Sequence, residues 1–130
     1  MDHSYQILLL TNGIHALNNQ ITNNNADIAK LKKAQTNIIA DQKELGSKKT
    51  LVTEPNLSND TWQGKYATEF LEIREEVGNQ FTNILQSQIE TLLDNISSKI
   101  AVLENSNDQL SSTIISKRNE IRFLQQTDGG

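Results

Sequence analysis

The sequence predicts an all-α chain: an antiparallel two-helix hairpin, coiled-coil-like, whose second helix is the longer. Three observations carry this. Apolar residues recur at steps of three and four along most of the chain, which is the period of a helix seam and not of a strand. The only proline, Pro55, lies in the one long polar stretch and divides the chain once. Apolar residues make up 35% and aromatics 5%, too few for a thick globular core but enough for helices that each bury one stripe. At 130 residues the chain reads as a single hairpin domain, with helix one at about 4–46, a connection at about 47–60 and helix two at about 61–126.

Helix one follows from a seam of Ile7, Leu10, Ile14, Leu17, Ile21, Asn24, Ile28, Leu31, Gln35, Ile38, Gln42 and Leu45, in alternating steps that never slip. Asn24, Gln35 and Gln42 interrupt it. They either fix register, at some cost in stability, or face water in a loosely packed pair. Asparagine is frequent (Asn18, Asn19, Asn23, Asn24, Asn25), and Gly13 costs about 1 kcal/mol relative to Ala. Such a helix depends on a partner surface to form. Gly46 is placed just past its end, at C′.

The connection holds Pro55, which pushes Glu54 to extended backbone, and the turn and cap formers Asn56, Ser58, Asn59 and Asp60. It is long for a helix pair, and nothing in it looks reactive, so it reads as a loose tether. Leu51 and Val52 are expected to tuck against the hairpin end. The bend itself is placed at Trp62-Gln63-Gly64, where Trp62 covers the open end of the pair and Gly64 allows a tight turn.

Helix two is read from a stripe that begins Tyr66, Phe70, Ile73, Val77, Phe81, Leu85, Ile89, Leu92, Ile96, Ile100 and Leu103 and runs on to Leu124. Consecutive steps of four between Val77 and Ile89 predict a local stutter. Ser106 and Gln109 match a capping box, but the apolar phase passes through Asn105–Asp108 unbroken, which favours one continuous helix.

Folding helix one back about the connection sets Ile7 opposite Ile100, Asn24 opposite Ile84, and Lys30, Lys32 and Lys33 beside Glu69, Glu72, Glu75 and Glu76. Helix one then ends near residue 104 of its partner. About 22 residues remain, on the order of 33 Å of helix. That overhang carries Ile115 and Phe123, and the expected partner-binding residues are Leu103, Leu110, Ile114, Ile121 and Leu124.

Several classes of chemistry are excluded. Net charge is −4, and the lysines have no interleaved aromatics, so nucleic acid is not an expected partner. There is no cysteine. No window approaches the roughly 18 apolar residues of a membrane span, and Ile7–Leu10 lacks the flanks of a secretory signal, so no stable membrane insertion is expected. His3 falls at a terminus expected to fray, and His15 lies off the seam without a second ligand. Glu72, Glu75 and Glu76 read as a solvated helix face rather than a cation site. No phosphate loop or nucleophile elbow is present. The expectation is a protein that is not an enzyme and has no cofactor, metal or catalytic residue.

The run Asp60-Thr61-Trp62-Gln63-Gly64-Lys65-Tyr66-Ala67, continued by Phe70 and Arg74-Glu75-Glu76, resembles the Trp-x-Gly hairpin of the WXG proteins, small helical substrates of type VII secretion in Gram-positive bacteria. With Lys30, Lys32 and Lys33 on helix one, it is more similar to the WXG-like accessory proteins of LXG toxins. The distinctive stretch covers about 15 residues, although the layout matches the whole chain. The resemblance implies Trp62 and Gly64 as the hairpin motif. It also implies a chaperone-like targeting role in which the chain binds the helical N-terminal domain of an LXG toxin, with a second small WXG-like protein as a further partner. The implied location is the cytoplasm, or export together with the partner. An export signal pairing an aromatic with an acid four residues on is not matched, because Phe123 is followed by Asp128. Two other readings stand beside this one: a homo-oligomeric (homodimeric) structural coiled coil, and a WXG-like secreted substrate in its own right.

Overall fold

The structure, a computed structural model, describes residues 2–49, 51 and 65–129. The described residues are helical almost throughout. Helix α1 is Ser4–Ser47 and α2 is Lys65–Asn83; a π-helical turn, Ile84–Gln88, joins α2 to α3, Ile89–Gly129. The predicted hairpin motif, Trp62 and Gly64, and most of the connection with Pro55 lie outside the described residues.

Helix α1 starts where a polar clasp supplies its first donors with acceptors. The Asp2 carboxylate accepts from the Ser4 N–H at 2.9 Å and from the Ser4 hydroxyl. The Ile7 N–H donates to the His3 carbonyl at 2.9 Å and begins the helical ladder. At the other end Gly46 is still helical, which corrects its expected place beyond the helix. Closure comes instead from tightened bonds three residues apart: Lys48 N–H to Leu45 O at 3.0 Å and Lys49 N–H to Gly46 O at 3.2 Å.

The chain divides into two compact units, one comprising residues up to Lys32 together with those from Ser98, the other Lys33–Ser97. In the first unit, α1 and α3 run antiparallel. The His3 N–H donates to Asp128 Oδ2 at 2.9 Å, and the His3 ring lies 3.5 Å from Asp128 Oδ1. The terminus expected to fray is therefore held. Further along, Asn24 Nδ2 donates to Asn107 Oδ1 at 2.9 Å and to Ser106 Oγ at 3.4 Å, while Asn107 Nδ2 donates to Asn25 Oδ1 at 2.9 Å. Lys32 meets Glu104 at 3.8 Å, an exposed pair that contributes less than about 1 kcal/mol.

These contacts correct the expected register. Asn24 pairs with Asn107 and not with Ile84, a displacement of 23 residues (107 − 84), or on the order of 34 Å of helix. The reason is physical. A heptad repeat of apolar residues packs nearly as well after sliding by one repeat, so it selects no register. Two amides in the seams do select one, because each left alone among apolar side chains would lose its hydrogen bonds. Lys32, expected beside the glutamates of α2, meets Glu104.

In the second unit Gln35 Nε2 donates to Ser97 Oγ at 2.7 Å, and Gln42 Nε2 donates to the Leu85 carbonyl at 2.7 Å. All three polar seam residues of α1 thus bond across to the other arm, so they fix register rather than simply facing water. The Leu85 carbonyl lies in the π-turn, where the Ile89 N–H reaches back five residues to Ile84 O. The wider turn takes up one extra residue. It coincides with the stutter expected from the four-residue steps between Val77 and Ile89. Helix α3 runs without a break through Asn105–Asp108, in agreement with the unbroken apolar phase.

Candidate functional site

Helical position decides which side chains are available to a partner. In α1, Ile14 and Ile28 are buried, and every other expected seam residue except Leu45 is half-buried. The seam of α1 is therefore as the spacing predicts. The expected partner-binding residues of α3 lie on its matching face. Leu103 and Ile114 are buried, and Leu110, Ile121 and Leu124 are half-buried. Asn107 and Lys117 share that row: Asn107 bonds Asn24, and the Lys117 side chain passes 3.5 Å from the position a Cβ on Gly13 would take. Leu103, Leu110, Ile114, Ile121 and Leu124 thus serve the seam with α1 inside the first unit. The unpaired overhang assigned to them does not exist, because the register places α1 alongside.

The open apolar surface lies elsewhere. In α2 the covered row is Ala67, Leu71, Arg74 and Gly78, one residue later than the predicted Phe70, Ile73 and Val77. Ile73 is 62% exposed, Val77 51%, and Phe70 and Ile84 43% each. A shallow groove of about 350 Å³ is lined by Ile73, Glu76, Val77, Gln80, Phe81 and Ile84. Helical spacing places Glu69, Glu72 and Glu76 along one edge of this row and the covered Leu71, Arg74 and Gly78 along the other.

Smaller open patches occur in the first unit. Tyr5, Leu8 and Leu9 are exposed on α1, and Val102, Ile115 and Phe123 on α3. The signal that sequence reasoning passed over is the apolar doublet. Phe70-Leu71, Ile84-Leu85, Leu92-Leu93 and Ile114-Ile115 each send one residue inward and one outward. One stripe accounts for only half of each pair, and the second half makes a second face.

The Asp2 carboxyl is held below its ordinary value by the Ser4 hydroxyl and then by the Ser4 N–H, which is a capping effect. Among the described residues no cluster of three or more His, Asp or Glu could hold a metal ion. Among the same residues no helix is long and apolar enough to cross a membrane. What the arrangement offers is helix surface: a polar-pinned seam used within the chain, and an apolar row with an acidic edge open to a partner.

A family model described as YwqH-like matches residues 6–126. No curated protein and no solved structure matches the chain.

Proposed function

The chain belongs to the YwqH-like family, and from that premise we propose that it is a non-catalytic accessory factor that binds the helical N-terminal domain of an LXG-type toxin and accompanies it to type VII secretion. The observation that carries the reading is the exposed row Phe70, Ile73, Val77 and Ile84 on α2. An apolar stripe of three turns left open on a helix is characteristic of helix-to-helix binding, in which anchors recur at three- and four-residue steps. The resemblance of the Trp62–Glu76 stretch to WXG-like accessory proteins supplies the class of partner. The same resemblance implies a second small WXG-like protein as a further partner.

The test is co-expression with the LXG-domain protein encoded nearest to it, followed by affinity purification of either chain. The expected result is a stable complex that survives gel filtration. Failure to co-purify, together with a stable homodimer of this chain alone, would overturn the reading in favour of a structural coiled coil. Appearance of this chain in culture medium when the toxin gene is deleted would favour an independently secreted substrate.

A further inference from the structure

The apolar row of α2 is not electrically neutral ground. Helical spacing puts Glu69, Glu72 and Glu76 along one edge, and Glu76 itself lines the groove with Ile73, Val77 and Phe81. Glu72 and Glu76 are exposed. Lys32, which the sequence seemed to set against this edge, meets Glu104. We propose that this row binds one amphipathic helix whose apolar stripe is flanked by Lys or Arg, the cations lying along the Glu72–Glu76 edge. This rests on the accessory reading above and names the chemistry of the partner at that surface.

The magnitudes divide the work between the two parts of the surface. Burying Ile73, Val77 and Ile84 against a partner supplies the larger share of affinity, since removing apolar surface from water is the main driving force of association. Rim charges add less to affinity, but they choose between partners, because like charges set side by side are costly. A helix with an acidic flank would meet Glu72 and Glu76 and be rejected. From Ile73 to Ile84 the row is 11 residues long (84 − 73), on the order of 16 Å, so the occupant needs about three helical turns. A second copy of this chain docked row to row in the antiparallel sense would bring the two acidic edges together and is disfavoured for the same reason; a parallel copy would set each acidic edge beside the Arg74 edge of the other, and the homodimer outcome of the test below covers it.

The experiment uses the full 130-residue chain and two synthetic peptides of about three heptads with identical Ile/Leu seams, one flanked by Lys and the other by Glu. Binding is read by fluorescence anisotropy at low and at physiological salt. The Lys-flanked peptide is expected to bind at least tenfold tighter, and this margin should shrink as salt rises. In the E72K/E76K variant the preference should reverse. Val77→Asp should abolish binding of both peptides with far-UV circular dichroism unchanged; Ile73→Gln serves as the second variant if Val77→Asp loses helicity. Equal binding of the two peptides, no reversal in E72K/E76K, or a homodimer that Val77→Asp dissociates would overturn the proposal. The toxin domain separates the two readings. If it is retained equally by the wild type and E72K/E76K, the basic-flank proposal fails and the accessory role stands. If it is not retained but the Lys-flanked peptide behaves as expected, the surface stands and the toxin assignment fails.

Discussion

The seam of the first unit and the open row of α2 are built from the same residue types at the same spacing, yet they have opposite fates. In the first unit Ile14, Ile28, Ile100, Leu103 and Ile114 are buried, Asn24 and Asn107 bond among them, and Asn107 also donates to the exposed Asn25. On α2, Ile73 and Val77 face water beside glutamates. The difference lies in the polar residues rather than in the apolar ones. Amides inside a seam bond to a specific opposite number and fix which stretch of helix is covered. Carboxylates at its edge, with Glu72 and Glu76 exposed, set the charge of the surface a partner would meet. Apolar periodicity says that a face exists; the polar residues on and around it say for whom.

The comparison can be broken most forcefully by placing a charge in each face. Ile114→Asp, at a residue only 4% exposed, is expected to cost more than about 3 kcal/mol of stability in urea denaturation, whereas Val77→Asp should change it by less than about 0.5 kcal/mol. Equal costs would mean that the two faces are not different in kind. Next in size is length. A helical residue turns the following face by about 100°, so deleting Ser106 inside α3 should disrupt the Asn24–Asn107 contact and lower the melting temperature sharply. Deleting Gln86 within the π-turn should be far milder, because it removes the residue that the wide turn accommodates.

Smaller again is the amide pair. Asn107→Leu alone should cost about 1–2 kcal/mol by depriving the half-buried Asn24 of its partner, while Asn24→Leu/Asn107→Leu should recover that loss but yield mixed registers or oligomers on gel filtration. Gly13→Ala should stabilise by about 0.5–1 kcal/mol, since the added methyl meets Lys117 only at ordinary contact distance. The smallest effect is at Asp2. Its carboxyl is held below the ordinary value of 3.8, so its contribution is full above that pH and is lost as pH falls through the lowered folded value. The protection of the Ser4 amide, its exchange rate relative to the intrinsic rate at the same pH, should therefore fall as pH drops below the ordinary carboxyl range, and Asp2→Asn should blunt that response.

Much of the architecture was legible in the sequence. The limits of α1, its seam from Ile7 to Gln42, the stutter near Leu85 and the continuity of α3 through Asn107 all follow from spacing, because burial on a helix is a periodic demand. Register was not legible from the same information, since sliding by a heptad preserves apolar contacts. Asn24 and Asn107 held the answer as the polar interruptions of two facing seams. The open face of α2 was hidden for a related reason. At Phe70-Leu71 and Ile84-Leu85 either neighbour continues the repeat, and choosing one concealed the other. The contribution of Trp62 and Gly64 rests on resemblance alone, and they lie outside the described residues.

The π-turn has a consequence beyond this chain. A long helix paired along its length cannot ordinarily gain or lose a residue, because everything past the change would point the wrong way. Ile84–Gln88 shows one place where a surplus residue is already absorbed, with a carbonyl of that turn accepting from Gln42. Insertions and deletions among relatives should therefore gather at this turn, which makes it a record of how the lineage adjusted the length of its second arm while keeping its faces aligned. Relatives that have shed the extra residue should also have lost the amide at the position of Gln42, leaving a paired trace of one event in two distant parts of the chain.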